Sequence, residues 1–396
     1  MSAVKILTFT TLYPSAAQPR HGIFVEQRLR RLVESGQAQT RVVAPVPWFP
    51  FNHARFGSYA VYATVPRHEE RYGIHVQHPR FILFPKVGMT LAPFFLAAAM
   101  VPAVRRIIRG GYDFDIIDAH YFYPDGIAAT LLGKIFRKPV VITARGTDLN
   151  LIPRYWLPRR MILWAARRAA RVITVCRALK DVLIRLGMSE DEVTVLRNGV
   201  DLQLFQPVDR EEWRARCGLT RTTLLSVGHL IKRKGHDVVI RALSELPTVE
   251  LLIAGDGEEE NALKSLAQSC GVANRVRFLG AIKQDLLKNY YGAVDALVLA
   301  SSREGWANVL LEAMACGTPV VASNVWGTPE VVAAPEAGVL MRERTPEALA
   351  QAVRQLLDNY PDRAATRRYA ERFSWDDTTR GQLDVFNDVV KLRAVP

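Results

Sequence analysis

Two carboxylates and a run of cations are the residues best equipped for chemistry. Glu304 and Glu312 stand eight positions apart inside Ser301-Ser302-Arg303-Glu304-Gly305-Trp306-Ala307-Asn308-Val309-Leu310-Leu311-Glu312. Apolar runs at 295–300 and 319–322 flank this stretch and read as buried parallel strands, so the middle is the crossover helix of a βαβ unit. Glu304 then falls in the strand-to-helix loop, and Glu312 lies about two helical turns further along the same side. Both carboxylates sit near a helix N-terminus at the carboxyl edge of a parallel sheet, where open α/β sheets bind ligands and free N–H groups favour phosphate oxygens. An acid beside a phosphate site suits hydroxyls. Glu312 is set among apolar residues, where an unpartnered carboxylate is expensive to bury, and a ligand would explain it.

The cations are Lys232, Arg233 and Lys234, in the loop that follows the strand-like run 224–228 and leads through Gly235 to a helix from His236. Three consecutive cations at a helix start repel one another and the helix dipole unless an anion lies among them, and a diphosphate resolves the conflict. Elsewhere the strand 114–120 delivers His120 to its carboxyl end, and the strand 139–143 runs into Ala144-Arg145-Gly146-Thr147-Asp148. Arg145 is a cation that does not titrate, suited to an anionic acceptor or a phosphate. Asp148 reads equally as a cap for the segment after it or as an acceptor contact. Gly22, in the long loop after the first strand, allows close backbone approach to a phosphate and also serves helix entry.

Glu304 and Glu312 with seven residues between them, followed by Ala-Met-Ala-Cys-Gly-Thr-Pro-Val-Val-Ala, resemble the E-x7-E signature of retaining nucleotide-sugar glycosyltransferases of family 4. The resemblance extends over nearly the whole chain and is strongest to bacterial polysaccharide and teichuronic-acid-type members. It implies a GT-B architecture, two Rossmann-like parallel-sheet domains facing across a cleft. It also implies a nucleoside-diphosphate sugar as donor. In such an enzyme Lys234 holds the donor phosphates, Gly22 and Gly228 border the diphosphate, and His120 meets the donor sugar or the acceptor. His229 stands where relatives carry an arginine, so His229 or Arg233 supplies the second phosphate contact. Gly255 and Asp256 border the nucleoside, and the base rests along Val276 and Phe278. Glu312 holds ribose hydroxyls. Glu304, with Gly305, Trp306, Ala307, Asn308 and Val309, positions the sugar. Many relatives have histidine at the place of Arg145. The expected chemistry is a front-face path in which the leaving phosphate takes the acceptor proton.

These residues need a scaffold, and the chain can supply one. Its 396 residues are 49% hydrophobic and 23% charged, enough for two sizeable cores. The expected domains are 1–198, carrying the acceptor side, and 199–374, holding the donor, with a last helix over 375–396 crossing back to the first. Turn-forming residues at Asn198-Gly199-Val200-Asp201 suit a hinge. Residues 24–33 read as an amphipathic helix, 45–80 as acceptor-side loops without periodicity, and the uncharged run 87–104 as a partly buried helix with a basic end. A membrane span needs about twenty apolar residues.

Cys176, Cys217, Cys270 and Cys316 form no CxxC pair, which argues against a zinc site or disulfide framework, and the N-terminus enters a strand without signal-peptide features. A cytoplasmic protein is expected. The run 251–260 lacks the third glycine of a dinucleotide fingerprint and opens its helix with three glutamates, which would repel a pyrophosphate. Asp113 with Asp115, and Asp376 with Asp377, read as caps or solvated charges, so no catalytic metal or other cofactor is expected. Residues 1–200 hold 28 Lys+Arg against 13 Asp+Glu, whereas 201–396 hold 24 against 26. A basic first half calls for an anionic partner. Without an aromatic-basic recognition motif, nucleic acid is not expected; an anionic membrane surface fits better, with the Arg- and Trp-bearing segment 156–171 as a candidate contact. The expected acceptor is a saccharide or a polyprenyl-linked one. Two other readings share these features: a nucleotide-sugar epimerase on the same fold, and a non-enzymatic basic protein that binds membrane or nucleic acid.

Overall fold

The computed structural model describes residues 3–83 and 90–394. Two units divide the chain: Met1–Arg197 with Asp376–Pro396, and Asn198–Trp375.

The first unit holds β1 (Val4–Phe9), β2 (Ala38–Val43), β3 (Val46–Pro47), β4 (His68–Arg71), β5 (Ile74–Gln77), β6 (Arg80–Phe81), β7 (Ile116–His120), β8 (Val140–Ala144), β9 (Arg171–Thr174) and β10 (Val193–Val195). Eight of them form one sheet in the order β10-β9-β8-β7-β1-β2-β5-β4, parallel except for the antiparallel β4/β5 hairpin, and β3 pairs with β6. The central strands are buried throughout, which is why β7 and β8 read as continuous apolar runs. The helix Ile23–Glu34 lays Val25, Leu29 and Leu32 on this core. The final helix, Trp375–Ala394, adds Leu383, Phe386 and Val389 to the same cluster. From β1 the chain builds β2 on one side and β7 on the other. The loops after β1 and β7 therefore diverge at a topological switch point, where α/β sheets bind ligands.

The second unit is a sheet of β11 (Thr222–Val227), β12 (Val249–Ala254), β13 (Val276–Gly280), β14 (Ala296–Leu299), β15 (Val320–Ser323) and β16 (Gly338–Met341). Its order is β13-β12-β11-β14-β15-β16, all parallel. The switch point here lies between β11 and β14.

The segment 45–80 is more ordered than its lack of periodicity predicts. It holds β3, the helix Ser58–Thr64 and the β4/β5 hairpin, which turns at Tyr72 and Gly73 with φ of 51° and 74°. β4 is His-Glu-Glu-Arg on the sheet edge, where charged side chains guard against further pairing and no apolar alternation marks the strand. In the uncharged run 87–104, residues 87–89 lie outside the described residues. Thr90 and Leu91 form a turn, and from Ala92 the run belongs to the helix Ala92–Arg109, with Pro93 in its first turn and Pro102 inside it. Among the described residues no helix is long and apolar enough to cross a membrane.

Candidate functional site

In the second unit, the loop after β11 and the loop after β14 bring Arg233, Lys234 and Glu304 together. Lys234 Nζ donates to Glu304 Oε1 at 2.7 Å, Arg233 Nη1 lies 3.6 Å from the same oxygen, and Ser301 Oγ donates to it at 2.7 Å. Glu304 is only 7% exposed. Burial alone would raise its pKa, but the Lys234 and Arg233 charges outweigh burial and hold the carboxyl below its usual range. The repulsion expected among the three cations is thus relieved in part within the chain, by Glu304, before any diphosphate arrives. Gly235 makes the approach possible: its φ is 74°, and a methyl group there would come within 2.0 Å of the Ala300 carbonyl oxygen. Ser302 N donates to the Arg233 carbonyl at 2.8 Å and Arg233 Nη1 to the Arg303 carbonyl at 2.9 Å, so the two loops are stitched by main chain as well.

Glu312 lies in the helix Asn308–Ala315, while Glu304 precedes it in the loop. The two carboxylates keep separate partners. Glu312, 8% exposed, accepts from the Tyr291 hydroxyl at 2.9 Å and from Gln284 Nε2 at 3.2 Å. These bonds partly meet the cost that the sequence left unexplained, yet burial still pushes its pKa up to about 6. Gln284 and Tyr291 share the helix Gln284–Ala293 two turns apart, a spacing that could have marked them in the sequence.

Around this centre, Trp306 is buried with its ring 6.0 Å from Phe373, and Gly305 and Ala307 are buried beside it. Asn308 Oδ1 accepts from Asn198 Nδ2 at 3.3 Å, and Val309 is half-buried. Gly228 N donates to the Ala254 carbonyl and Gly255 N to that of Gly280, which draws the turns after β11, β12 and β13 together. His229 is exposed, with Nδ1 3.8 Å from Asp256 Oδ1. Arg233, not His229, therefore shares Glu304 with Lys234. Val276 is buried in the core and Phe278 half-buried, its ring 5.5 Å from Lys264 Nζ.

In the first unit, His120 is fully buried. Arg145 Nη2 donates to its Nδ1 at 2.6 Å, so Nδ1 accepts and the ring proton resides on Nε2, 3.1 Å from Asp118 Oδ2. Burial, together with the Arg145 and Arg28 charges, outweighs Asp118 and brings the pKa down to about 4. The neutral ring is enclosed by protein, so in this arrangement it orients Arg145 and does not present a face to a sugar. Asp118 also accepts from Gln382 Nε2 at 3.2 Å, and Gln382 Oε1 from Arg28 Nε at 2.7 Å. This buried chain from the last helix to Arg145 escaped sequence reasoning because its members are far apart along the chain. Asp148 takes the bland alternative: its carboxylate accepts from the backbone N–H groups of Phe122, Arg145 and Gly146. Gly22, with φ of 69°, packs where a methyl would lie 2.3 Å from the Leu12 carbonyl oxygen, a reason for glycine in the turn itself.

The loops after β1 and β7 are joined by Asp125, buried, whose Oδ2 accepts from Thr11 N at 2.6 Å, with Thr10 and Thr11 hydroxyls alongside. Burial raises its pKa to about 7 against those hydrogen bonds. Beside it opens a cavity of about 510 Å³, lined by the β1 loop (Thr11, Tyr13, His21), by Tyr59 and Tyr62, and by Tyr123. Residues from 45–80 thus line the switch point of the first sheet.

The neutral imidazole has a measurable consequence. Between pH 6.5 and about 4 the unfolded chain takes up a proton that folded His120 refuses, so stability is lost as pH falls through that window, by about 3 kcal/mol for such a shift. Urea unfolding at pH 7 and pH 4.5 should show a smaller acid loss in His120→Gln than in the wild type; an unchanged loss would sink this account.

The arrangement matches known proteins. Residues 209–373 match the family described as Glycosyl transferases group 1, and residues 53–204 match Glycosyltransferase Family 4. A D-inositol 3-phosphate glycosyltransferase of Frankia alni is 31% identical over 354 residues, 82% of this chain and 86% of that one. A putative teichuronic acid biosynthesis glycosyltransferase of Bacillus subtilis is 29% identical over 359 residues, 88% of each chain. Among solved structures, a sucrose-phosphate synthase from Thermosynechococcus elongatus superposes with a TM-score of 0.78 over 100% of both chains at 20% identity. HepE of Anabaena in complex with UDP does so with a TM-score of 0.73 over 98% of this chain and 100% of that one, also at 20% identity. The fold is GT-B, the two-sheet architecture of a large class of glycosyltransferases. This chain belongs to glycosyltransferase family 4.

Proposed function

We propose that the protein transfers a hexosyl group, with retention at the anomeric carbon, from a UDP- or GDP-sugar to a hydroxyl of a saccharide or polyprenyl-linked acceptor in cell-surface polysaccharide or glycolipid synthesis. The observation that carries this reading is the convergence of Lys234, Arg233 and Glu304 on the switch point of the second sheet. As the bond from anomeric carbon to phosphate oxygen breaks, the two cations take up the charge growing on the diphosphate, a preorganised electrostatic role that asks for no metal ion. Glu304, displaced from the cations by the incoming phosphates, turns to the sugar hydroxyls, and Glu312 accepts from the ribose. Glu304 is held by Lys234 and Ser301, and Glu312 by Tyr291 and Gln284, so each carboxylate already has cation or hydrogen-bond partners. This supports the front-face path, in which the acceptor oxygen bonds to the anomeric carbon and its proton passes to the leaving diphosphate.

A neighbour crystallised with UDP-glucose supports a nucleotide-sugar donor. In this reading the tyrosine-lined cavity of the first unit is the acceptor side, and Arg145 serves an anionic acceptor group. The basic first half fits work at the inner face of a membrane. A thermal-shift screen with UDP-, GDP- and ADP-sugars, followed by product analysis, tests the reading. Stabilisation by one nucleotide class, with release of its nucleoside diphosphate and an α- or β-configured product matching the donor, is expected. Formation of a donor epimer without release would overturn it in favour of an epimerase.

A further inference from the structure

A second pocket in the first unit, of about 260 Å³, is lined by Arg67, Arg80 and Arg106 together with Trp48, His68 and Pro102. Among the described residues no carboxylate answers these arginines. Arg67 and Arg106 side chains form no hydrogen bond or ion pair among the described residues, and Arg80 donates only to the carbonyls of His78 and Val65. The nearest acid in sequence, Glu69, is spent on His78 Nε2 at 2.6 Å and on Arg71 at 3.7 Å. Burial, and after it the neighbouring Arg67 charge, lower the pKa of Arg80. Three guanidinium groups around a concavity, none of them paired with a carboxylate among the described residues, match the oxygens of a phosphate.

The surroundings say where that phosphate comes from. The helix Ala92–Arg109 turns Phe94 and Phe95 outward near its start and Arg105, Arg106 and Arg109 outward near its end. Leu91, Ile82 and Trp48 are also more than half exposed, and Trp48 is held beside Phe81 by its backbone hydrogen bond. Outward apolar rings beside a tryptophan and a row of arginines are the composition of a surface that lies in the lipid headgroup layer. We propose that this face docks on an anionic membrane, with the phosphate of a lipid headgroup seated among Arg67, Arg80 and Arg106 and the rings of Phe94 and Phe95 in the acyl boundary. The proposal rests on the membrane-side part of the reading above and is independent of which sugar is transferred. It names a contact other than the helix Trp156–Ala166, where Trp156 is exposed while Trp164 is half-buried and lies against Arg168 at 4.9 Å.

Co-sedimentation with vesicles of phosphatidylglycerol or of phosphatidylcholine, using the full chain, tests it. The protein should bind the first and not the second. Arg67→Gln with Arg106→Gln should weaken binding roughly thirtyfold, from the usual contribution per basic residue, and Phe94→Ser with Phe95→Ser should weaken it too. The thermal shift with the nucleotide sugar should stay as in the wild type in both variants, which separates this surface from the donor site. Failure to bind phosphatidylglycerol at low salt overturns the proposal. So does a loss confined to Arg159→Gln, Arg160→Gln, Arg167→Gln and Arg168→Gln combined. If inorganic phosphate raises the melting temperature through Arg67 and Arg106 while vesicles are ignored, the pocket takes free phosphate and the lipid assignment falls.

Discussion

Lys234→Ala is expected to lower turnover about a hundredfold, the scale for losing one preorganised contact to charge that develops in the transition state. Two effects are superposed in this variant. The first is the loss of the cation nearest the departing diphosphate, which reads out in kcat. The second is structural, because Glu304 loses its 2.7 Å partner and keeps Ser301 at 2.7 Å and Arg233 at 3.6 Å. Since the cations hold the folded Glu304 pKa below 4.5, its ion pair contributes stability at pH above that value, and the contribution is lost as pH falls through the folded pKa. The variant should therefore melt lower than the wild type at pH 7 and converge with it in acid. Lys234→Gln, which keeps a hydrogen-bond donor towards Glu304, should recover much of the melting temperature and little of the rate. Wild-type turnover in either folded variant would show that Lys234 does not serve the diphosphate.

Glu312→Gln carries two expected effects of opposite sign. Donor affinity should fall by roughly 1–3 kcal/mol, the difference between charge-assisted and neutral hydrogen bonds to ribose hydroxyls. Stability should move the other way at alkaline pH. Folded Glu312 has its pKa raised from 4.5 to about 6, so the folded protein holds a proton that the unfolded chain has already released, and stability declines as pH rises through that interval. The glutamine has no such charge to bury, and the shift corresponds to about 2 kcal/mol recovered at pH 8. Isothermal calorimetry with the donor nucleotide and melting curves at pH 5 and pH 8 measure both. A variant more stable at pH 8 yet unchanged in donor affinity would make Glu312 a structural group satisfied by Tyr291 and Gln284 alone.

Much of the second unit was legible along the chain because its chemistry is local. Strand, glycine turn and helix recur in that order, and the apolar runs of β14 and β15, with the apolar stretches inside β11 and β12, mark buried parallel strands. Lys234 and Glu304 announce themselves as charges in the loops that follow β11 and β14. The segment 45–80 was opaque for the opposite reason. β4 is an edge strand whose charged residues obey no burial rule, and the helix Ser58–Thr64 is a bare two turns, too short for a period of 3.6 to register.

What the linear order of residues determined is the alternation of strands and helices, the loops that carry Lys234, Glu304, His120 and Arg145, and the basic first half. These depend on each residue's own polarity and on neighbours within a few turns. Tertiary structure decided who answers whom. It paired Lys234 with Glu304 across 70 residues and gave Glu312 the hydroxyl of Tyr291. It also fixed the His120 proton on Nε2 through Arg145, and tied Asp118 to Gln382 across 264 residues. The physical reason is that a parallel sheet places strands side by side in an order the chain does not follow. Groups brought to one switch point come from loops far apart in sequence, and in a buried site their charge states depend on those partners more than on residue type.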